Sequence, residues 1–423
     1  MSAEPNPGEA LSDFALDSSR QGLGSMLRDF RTRMKTGDLG SLPAILAIVV
    51  LVAVFGIARP DSFLSALNLA NFLEQAAAVI VIAMAVTFVL LLGEIDLAAG
   101  YTAGVAAAVL ALRLQDDWPL LLCVALSAAV AIALGLWTGT LVAKLGIPSF
   151  VVTLANFLIF QGILQLLVKE GGSVRIENGI VKDIVGGALS PTLSWVVAIA
   201  GVGLYSVSQL SRRRRSDGTI LVSLVAARIV GVTVLVVIGV VVLNKNRAFA
   251  TADNEIRGMP YVVPLVLILM LLLSFVLNRT RYGRHLMAVG GNSEAARRAG
   301  INVVRVRLSA FAVCGLLAGI GGAFLASRVN SVDPNTGGND TLLLAVGAAV
   351  VGGTSLFGGQ GRMINAVLGG LVLALIPNGL GLVAKSSPFG VEIDFGSSGV
   401  KFICAGLALP LALVRELIRV HGA

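Results

Sequence analysis

Two carboxylates separated by one residue, Glu94 and Asp96, stand in the otherwise apolar segment GEIDLAAG at positions 93–100. An ionisable side chain at membrane depth is costly, so it is a candidate functional group. Such a carboxylate could accept hydrogen bonds from the hydroxyl groups of a polar solute. Alternatively, Asp96 could cap the following segment by accepting hydrogen bonds from its free N–H groups. Gly93 and Gly100 could break the helix and place both acids at a pathway.

Amides form a second group of polar side chains within apolar segments. Asn156, Gln161 and Gln165 recur at helical spacing within one such segment. They could line a polar pore or form hydrogen bonds between helices, and the sequence leaves both interpretations open. Asn378 follows Pro377, and this pair could kink its segment, which would suit a helix that moves.

The residue types needed for enzyme chemistry do not form a recognisable arrangement. The two histidines, His285 and His421, belong to no Ser–His–Asp, Cys–His or His-Glu-x-x-His pattern. Cys123, Cys314 and Cys404 lie in apolar segments, at spacings that match neither a metal site nor a disulfide framework. We therefore expect no catalytic residue, metal site or cofactor on this chain, and buried free thiols at the cysteines.

The composition indicates which elements must hold these residues. Apolar residues make up 56% of the 423 and charged residues only 13%, and the mean hydropathy is +0.89. Soluble domains carry about 25% charged residues. Several apolar runs reach the roughly 17–25 residues that cross a bilayer, and 49 glycines allow close helix packing. We predict an all-α polytopic membrane protein, a bundle of about 10–12 transmembrane helices, some of them broken or re-entrant.

The hydropathy pattern divides the chain into a tail and a membrane domain. Residues 1–40 are polar and predict a cytoplasmic N-terminal tail without a signal peptide, and residues 41–423 predict the transmembrane domain. Its apolar segments lie near 41–58, 76–92, 97–112, 118–143, 150–168, 192–209, 219–244, 262–278, 308–327, 341–357, 364–384 and 399–414. Segments 97–112 and 341–357 are short and contain glycine. About ten full spans with two half-helices or re-entrant elements therefore fit as well as twelve spans.

The placement of basic residues predicts the orientation. With the N-terminus inside and twelve alternating crossings, 20 of the 32 Lys and Arg residues fall on the inside, which is the bias expected of cytoplasmic loops. Both termini are then cytoplasmic. The net charge of +8 is accounted for mainly by this signal, so we expect no nucleic-acid partner.

The most basic stretch is RYGRHLMAVGGNSEAARRAGINVVRVR, residues 281–307, which we call the basic loop. It contains six Lys and Arg residues and a single acid, Glu294. One interpretation is a solvated cytoplasmic loop that only sets topology. However, glycines at Gly290, Gly291 and Gly300 bracket a helix-forming run. This arrangement favours a defined helix that another protein binds.

The bracketed run carries start and stop signals of a helix. Asn292 or Ser293 is a suitable N-cap, and Glu294 would stand in the first turn, where an acid interacts favourably with the helix dipole. Gly300 would end the helix after Ala299. The predicted helix has about two turns and a length of roughly 10 Å.

Two segments of the chain resemble each other. GEIDLAAG at 93–100 and GGTSLFGG at 352–359 share a glycine, a leucine four positions later and a second glycine three positions after that. Both precede another apolar segment. Transport folds often contain such repeats, although chance similarity between glycine-rich segments explains the match equally well.

Four motifs resemble those of one family, and they follow one another along the chain in the family's order. AVGGNSEAARRAGINV resembles the coupling loop of the permease subunits of bacterial ABC sugar importers of the ribose/xylose class. GEIDLAAG, LGIPSFVVTLANFLIFQG and VGGTSLFGGQG resemble three further signatures of the same family. The chain departs from many relatives by carrying Glu94 where they have glycine, and by its length, which makes the xylose-type permeases the most similar members.

The resemblance implies a division of labour between subunits. Two permease chains, expected as a homodimer in the bacterial inner membrane, would form the pathway. Two ATPase subunits would bind ATP and Mg²⁺, and a periplasmic binding protein would deliver a monosaccharide, with xylose or a similar pentose as the best candidate. This chain contains no phosphate-binding G-x-x-x-x-G-K-[ST] loop, so hydrolysis would occur on a partner. Segment 211–261 would be an insert.

The resemblance also implies residue roles. The residues implied for ATPase coupling are Gly291, Asn292, Ser293, Glu294, Ala295, Ala296, Arg297 and Gly300. The pathway or structural candidates are Glu94, Asp96, Asn156, Gln161 and Asn378. The alternative function is an ion-coupled secondary transporter of a small polar solute, which would need coupling carboxylates within the membrane.

Overall fold

The computed structural model describes residues 41–169, 171–215, 222–248 and 255–383, together with 394, 396–397, 399–401 and 403–407. The predicted tail at 1–40, the end of the last apolar segment and His421 lie outside these described residues.

Helices account for most of the described chain. They are α1 (Leu42–Ala58), α2 (Pro60–Phe63), α3 (Ala66–Leu90), α4 (Ala99–Gln115), α5 (Leu120–Ala143), α6 (Ser149–Val168), α7 (Gly179–Gly186), α8 (Pro191–Arg215), α9 (Val222–Leu243), α10 (Val262–Arg279), α11 (Arg281–Gly291), α12 (Ser293–Arg298), α13 (Val303–Val329), α14 (Asn339–Val351) and α15 (Met363–Leu382). The strands β1 (Val174–Arg175) and β2 (Ser331–Val332) pair antiparallel, with Val174 opposite Val332.

Eight helices of the described chain are long and apolar enough to cross a membrane. They are α3, α5, α6, α8, α9, α10, α13 and α15, and α1 and α14 are shorter apolar helices. A helix satisfies its own backbone hydrogen bonds, which is why apolar segments of this length adopt this conformation in a bilayer. The predicted fold class, an all-α polytopic membrane protein, is confirmed, and the first eleven predicted apolar segments each coincide with a described helix.

Helix α3 forms the centre of the bundle. Every side chain from Ala76 to Leu90 is buried, and α13, α15 and α14 pack against it. The chain enters α3 through an N-cap at Ser65, whose hydroxyl accepts a hydrogen bond from the Asn68 N–H at 3.1 Å. The stretch of α3 from Ala76 to Leu90 is almost entirely apolar on all sides and therefore requires this position inside the bundle.

Small residues allow α13 to approach its neighbours closely. A Cβ atom added at Gly315 would overlap the carbonyl oxygen of Ala131 on α5, and one at Gly135 would overlap that of Phe311. At Gly322 the added atom would overlap the carbonyl of Ala103 on α4. Membrane helices associate largely through van der Waals packing of this kind.

The bundle has two distinguishable ends. At one, which we call the basic-loop end, segments 91–98 and 352–362 meet the basic loop, and the Gly359 N–H donates to the carbonyl of Leu91 at 2.9 Å. At the other, the strand end, β1 and β2 pair, and the Val185 N–H on α7 donates to the Ser327 hydroxyl at 3.0 Å.

Segments 97–112 and 341–357, which contain glycine and are predicted to be half-helices or re-entrant, each adjoin non-helical chain. We call residues 91–98 and the loop after α14 the interrupted elements. Residues 91–98 separate α3 from α4 without helical structure, and α14 ends at Val351 before a glycine-rich loop. Gly93 has a φ of +75°, a conformation that favours glycine. The expectation that Gly100 breaks a helix is wrong, because Gly100 lies in the first turn of α4. A Cβ there would overlap the Gly337 carbonyl, so close approach, and not a break, requires this glycine.

Segment 211–261 covers the end of α8, helix α9 and the connection to α10. At the strand end, Arg247 Nη1 donates to the carbonyls of Leu243 at 3.2 Å and Gly258 at 2.9 Å. The Met259 N–H donates to the Ser194 hydroxyl at 2.9 Å. The last of these bonds attaches the connection to the start of α8. Helix α9 leaves most of its apolar side chains exposed. The described residues of this segment contribute little to the central packing.

The cysteines are free thiols. Cys123 and Cys314 are buried, as predicted, whereas Cys404 is only half-buried. Among the described residues, no group of three or more His, Cys, Asp or Glu side chains could hold a metal ion.

The close approach of α13 and α5 makes a prediction about stability. Gly315→Ala should lower the free energy of unfolding by about 1–3 kcal/mol, because the added methyl group overlaps Ala131. Gly162→Ala is the matched control, since no atom lies within 4 Å of its added Cβ, and the better helix propensity of alanine should stabilise it by up to about 1 kcal/mol. Thermal unfolding in detergent checks both, and equal midpoints for the two variants would contradict the packing.

Candidate functional site

The basic loop folds into two consecutive helices. The first, α11, starts at the N-cap Thr280, whose hydroxyl accepts a hydrogen bond from the Gly283 N–H at 3.3 Å. The sequence interpretation missed this helix. The spacing of Tyr282, Leu286 and Val289, at i, i+4 and i+7, is the signal that could have found it.

Helix α11 packs against the end of α3. The rings of Tyr282 and Phe88 stack with centroids 6.5 Å apart, and Leu286 and Val289 are buried. Burial raises the pKa of the Tyr282 phenol above its ordinary value. The start of the basic loop is therefore anchored on the central helix of the bundle.

The predicted short helix is present as α12. Asn292 is its N-cap, and its side-chain oxygen accepts a hydrogen bond from the Ala295 N–H at 2.9 Å. Gly300 follows the C-cap with a φ of +82°, and its N–H donates to the carbonyl of Arg297 at 3.0 Å. Ala296 is the buried residue of the helix. The start and stop signals thus act as expected, with the last helical residue at Arg298.

The outer face of α12 is charged and open to solvent. Glu294 pairs with Arg297 at 3.4 Å and with Arg298 at 3.3 Å, and the three side chains are 57%, 68% and 80% exposed. Exposed ion pairs of this kind add little to stability. The face is thus short and charged, and its side chains are accessible to another protein surface.

Behind α12, the basic loop rests on both interrupted elements. A Cβ at Gly290 would overlap the carbonyl oxygen of Leu91 and would lie 2.8 Å from the Gly359 nitrogen. At Gly291, in contrast, an added Cβ would meet nothing within 4 Å. Of the two glycines, Gly290 is therefore the one whose lack of a side chain is required. Its signal in the sequence was the Gly-Gly pair, which did not tell the two positions apart.

The two similar glycine-containing segments also touch each other. A Cβ added at Gly358 would lie 2.7 Å from both the Gly290 carbonyl oxygen and the Gly93 nitrogen. A Cβ added at Gly93 would lie 3.2 Å from the carbonyl oxygen of Phe357. We call this meeting of residues 91–94, 290 and 357–359 the glycine junction. It brings three segments that are far apart in sequence into backbone contact.

The Asp96 carboxylate is buried and binds the backbone directly before α4. Its Oδ1 accepts a hydrogen bond from the Ala98 N–H at 2.9 Å. Its Oδ2 accepts a weak bond from the Cys314 thiol at 3.5 Å. Cys314 lies roughly 16 Å along α13 from Val303, so segment 91–98 turns back into the bundle.

Glu94 lies in the same segment but points to a different partner. Its Oε1 is 3.2 Å from Nη2 of Arg307, near the start of α13. The two acids are therefore directed to different places, because Glu94 forms an ion pair at the basic-loop end and Asp96 is directed into the bundle.

The remaining pathway candidates lie apart from the glycine junction. Asn156 donates to the Thr138 hydroxyl at 2.9 Å and accepts from the Trp137 indole at 3.3 Å, so it joins α6 to α5. Gln161 is half-buried on α6. Asn378 and Asn68 exchange hydrogen bonds at 3.1 and 3.2 Å between α15 and α3. The structure thus distributes these amides among helix contacts and does not gather them at one site.

The geometry of Asp96 predicts which substitutions it tolerates. Asp96→Asn should keep thermal stability and most activity, because an amide oxygen can still accept from the Ala98 N–H. Asp96→Leu should lose about 1–3 kcal/mol of stability, because the buried Ala98 N–H is left unpaired. The unfolding midpoint measures this loss, with the exposed Asp116→Leu as control. A stable, well-inserted but inactive Asp96→Asn would instead indicate a role that depends on charge.

Comparisons with known proteins agree with this arrangement. The family described as "Branched-chain amino acid transport system / permease component" matches residues 68–393. The xylose transport system permease protein of Escherichia coli is 34% identical over 354 residues, which cover 83% of this chain and 87% of that protein. Its counterpart in Haemophilus influenzae is 33% identical over 355 residues, covering 83% of this chain and 92% of that protein.

A ribose permease is also similar. The ribose import permease protein of Escherichia coli is 29% identical over 344 residues, covering 81% of this chain and 87% of that protein. No solved structure matches the chain. The multi-pass helical bundle and these matches together show that the chain belongs to this family of transport-system permease components, in the ribose/xylose class that its motifs resemble.

Proposed function

We propose that the chain is the membrane-spanning subunit of an ATP-driven importer that moves a pentose into the cytoplasm. One observation carries the proposal. The exposed, capped helix α12 presents Glu294 and two arginines to solvent, while the glycine junction behind it touches both interrupted elements. An ATPase that binds α12 and changes conformation would therefore move both interrupted elements.

The ATPase is expected on a separate chain, with ATP and Mg²⁺ bound there. The basic loop then faces the cytoplasm, together with the N-terminal tail, and the strand end faces the periplasm. The excess of Lys and Arg at the basic-loop end supports this orientation in a bacterial inner membrane. A periplasmic sugar-binding protein would deliver the solute at the strand end, and a second copy of the chain would complete the pathway.

Xylose or a closely related pentose is the substrate we propose. The support is the identity of 34% and 33% with two proteins named as xylose permeases, compared with 29% for one named as a ribose permease.

Ion-coupled transport is not favoured by the geometry. A coupling carboxylate must be free to bind and release its ion within the membrane. Glu94 is held by Arg307, and Asp96 by a backbone N–H group and the Cys314 thiol. Both acids therefore have structural partners within the chain.

The coupling role of α12 predicts that Glu294→Lys releases the ATPase. The substitution places a third cation beside Arg297 and Arg298, so a partner surface that accepts the native pattern would be repelled. We would purify the tagged chain in mild detergent and measure the ATPase retained on it. Glu177→Lys, the same charge change at the strand end, should retain the partner fully. Retention by Glu294→Lys as strong as by the unmodified chain would contradict the coupling role.

The substrate assignment predicts a ranking in uptake. Cells that depend on this permease should accumulate labelled xylose, and unlabelled xylose should compete more strongly than a hexose such as glucose. If glucose competes as well as xylose, the pentose assignment is wrong although the transport mechanism can still hold.

A further inference from the structure

The basic loop is attached to segment 91–98 at two places. The first is the glycine junction, where Gly290 packs on the carbonyl of Leu91. The second is the ion pair between Glu94 and Arg307 at 3.2 Å. Arg307 lies on the second turn of α13, which follows directly after α12. One attachment therefore precedes α12 in the chain, and the other follows it.

The two attachments differ in the forces that they transmit. Backbone atoms in contact at Gly290 resist compression strongly, because van der Waals repulsion is steep, but they resist separation weakly. An ion pair resists separation, because its attraction extends over several ångströms when water is partly excluded. The Glu94 and Arg307 side chains are only 15% and 29% exposed, so this exclusion applies. The glycine contact can push segment 91–98, and the ion pair can pull it.

The ion pair uses only part of the arginine. A single terminal nitrogen of Arg307 contacts Glu94, and the Arg307 Nε is buried without a hydrogen-bond acceptor among the described residues. A guanidinium normally prefers a two-point contact with a carboxylate. Thr354, in the glycine-rich loop at the same end, likewise has a buried hydroxyl without a partner among the described residues. Buried polar atoms without partners are uncommon in folded proteins. Both unpaired atoms lie at the basic-loop end, and they point to a second arrangement in which they are paired.

We propose that Glu94 and Arg307 form a positioning contact that pulls segment 91–98 when the basic loop moves, so that α4 is displaced during transport. The proposal rests on the proposed function, since it assumes that an ATPase moves α12. It adds a specific pair of residues through which the movement reaches the interior. Both residues lie outside α12, the helix proposed to bind the ATPase.

The test uses the assembled importer in liposomes, with its ATPase and binding protein. Glu94→Gln and Arg307→Gln should each reduce uptake about tenfold, within the 5- to 150-fold range typical of coupling between sites. The ATPase should stay bound and the unfolding midpoint should hardly change. ATP hydrolysed per sugar imported should rise, because the motor runs without moving α4. The exchanged pair, Glu94→Arg with Arg307→Glu, should recover uptake to within about threefold of the unmodified chain, because opposite charges again face each other.

The controls separate the possible explanations. Glu255→Gln removes another ion pair, to Arg257 at 2.7 Å in the connection at the strand end, and should leave uptake unchanged. Normal uptake in both single variants overturns the proposal. So does a lost ATPase or a large fall in the unfolding midpoint, or an exchanged pair as inactive as the single variants, since these outcomes assign the residues to docking or folding. Failure of the proposed function itself shows separately, as an ATPase that never binds the unmodified chain.

Discussion

The structure depends on one constraint: a stretch of non-helical backbone inside an apolar bundle must have its hydrogen bonds satisfied. Residues 91–98 satisfy this constraint through two hydroxyl side chains of α6 and through Asp96 of the segment itself. The Ile95 N–H donates to the Ser149 hydroxyl at 3.2 Å, and the Thr153 hydroxyl donates to the Ile95 carbonyl at 3.2 Å. Asp96 accepts from the Ala98 N–H. An unpaired amide would cost several kcal/mol in hydrocarbon, so these few polar residues decide where the helix can be interrupted.

Once the interruption is fixed, glycine determines what can pack against it. The peptide groups of residues 91–98 can be approached closely by another backbone only where that backbone has a glycine, which carries no side chain. Gly290 and Gly358 supply such backbones from the basic loop and from the loop after α14. The basic loop and both interrupted elements are therefore in direct backbone contact with one another. A displacement of the basic loop toward segment 91–98 cannot leave that segment unaffected, because the atoms at the junction are already in contact.

The charges divide into two groups with different consequences. Glu294, Arg297 and Arg298 stay in water, where pairing is weak and a partner surface can replace it. Glu94 and Arg307 are largely shielded, so they hold each other more firmly. The first group suits a contact with a partner protein that must form and dissociate. The second group suits the transfer of force within the chain. Both groups include residues of the basic loop. The first group lies on α12, and Arg307 of the second group lies near the start of α13.

The sequence by itself determined the helical class, the positions of the apolar helices, and the start and end of α12, because these depend on run length and on local caps such as Asn292 and Gly300. It also limited Asp96 to two roles. Only the tertiary structure placed its carboxylate inside the bundle, against Cys314, 218 positions away. Only the tertiary structure assigned Asn156 and Asn378 to helix contacts and Gly290 to the junction. Local caps act within one helical turn, whereas these roles depend on neighbours brought together by packing, which sequence spacing does not encode.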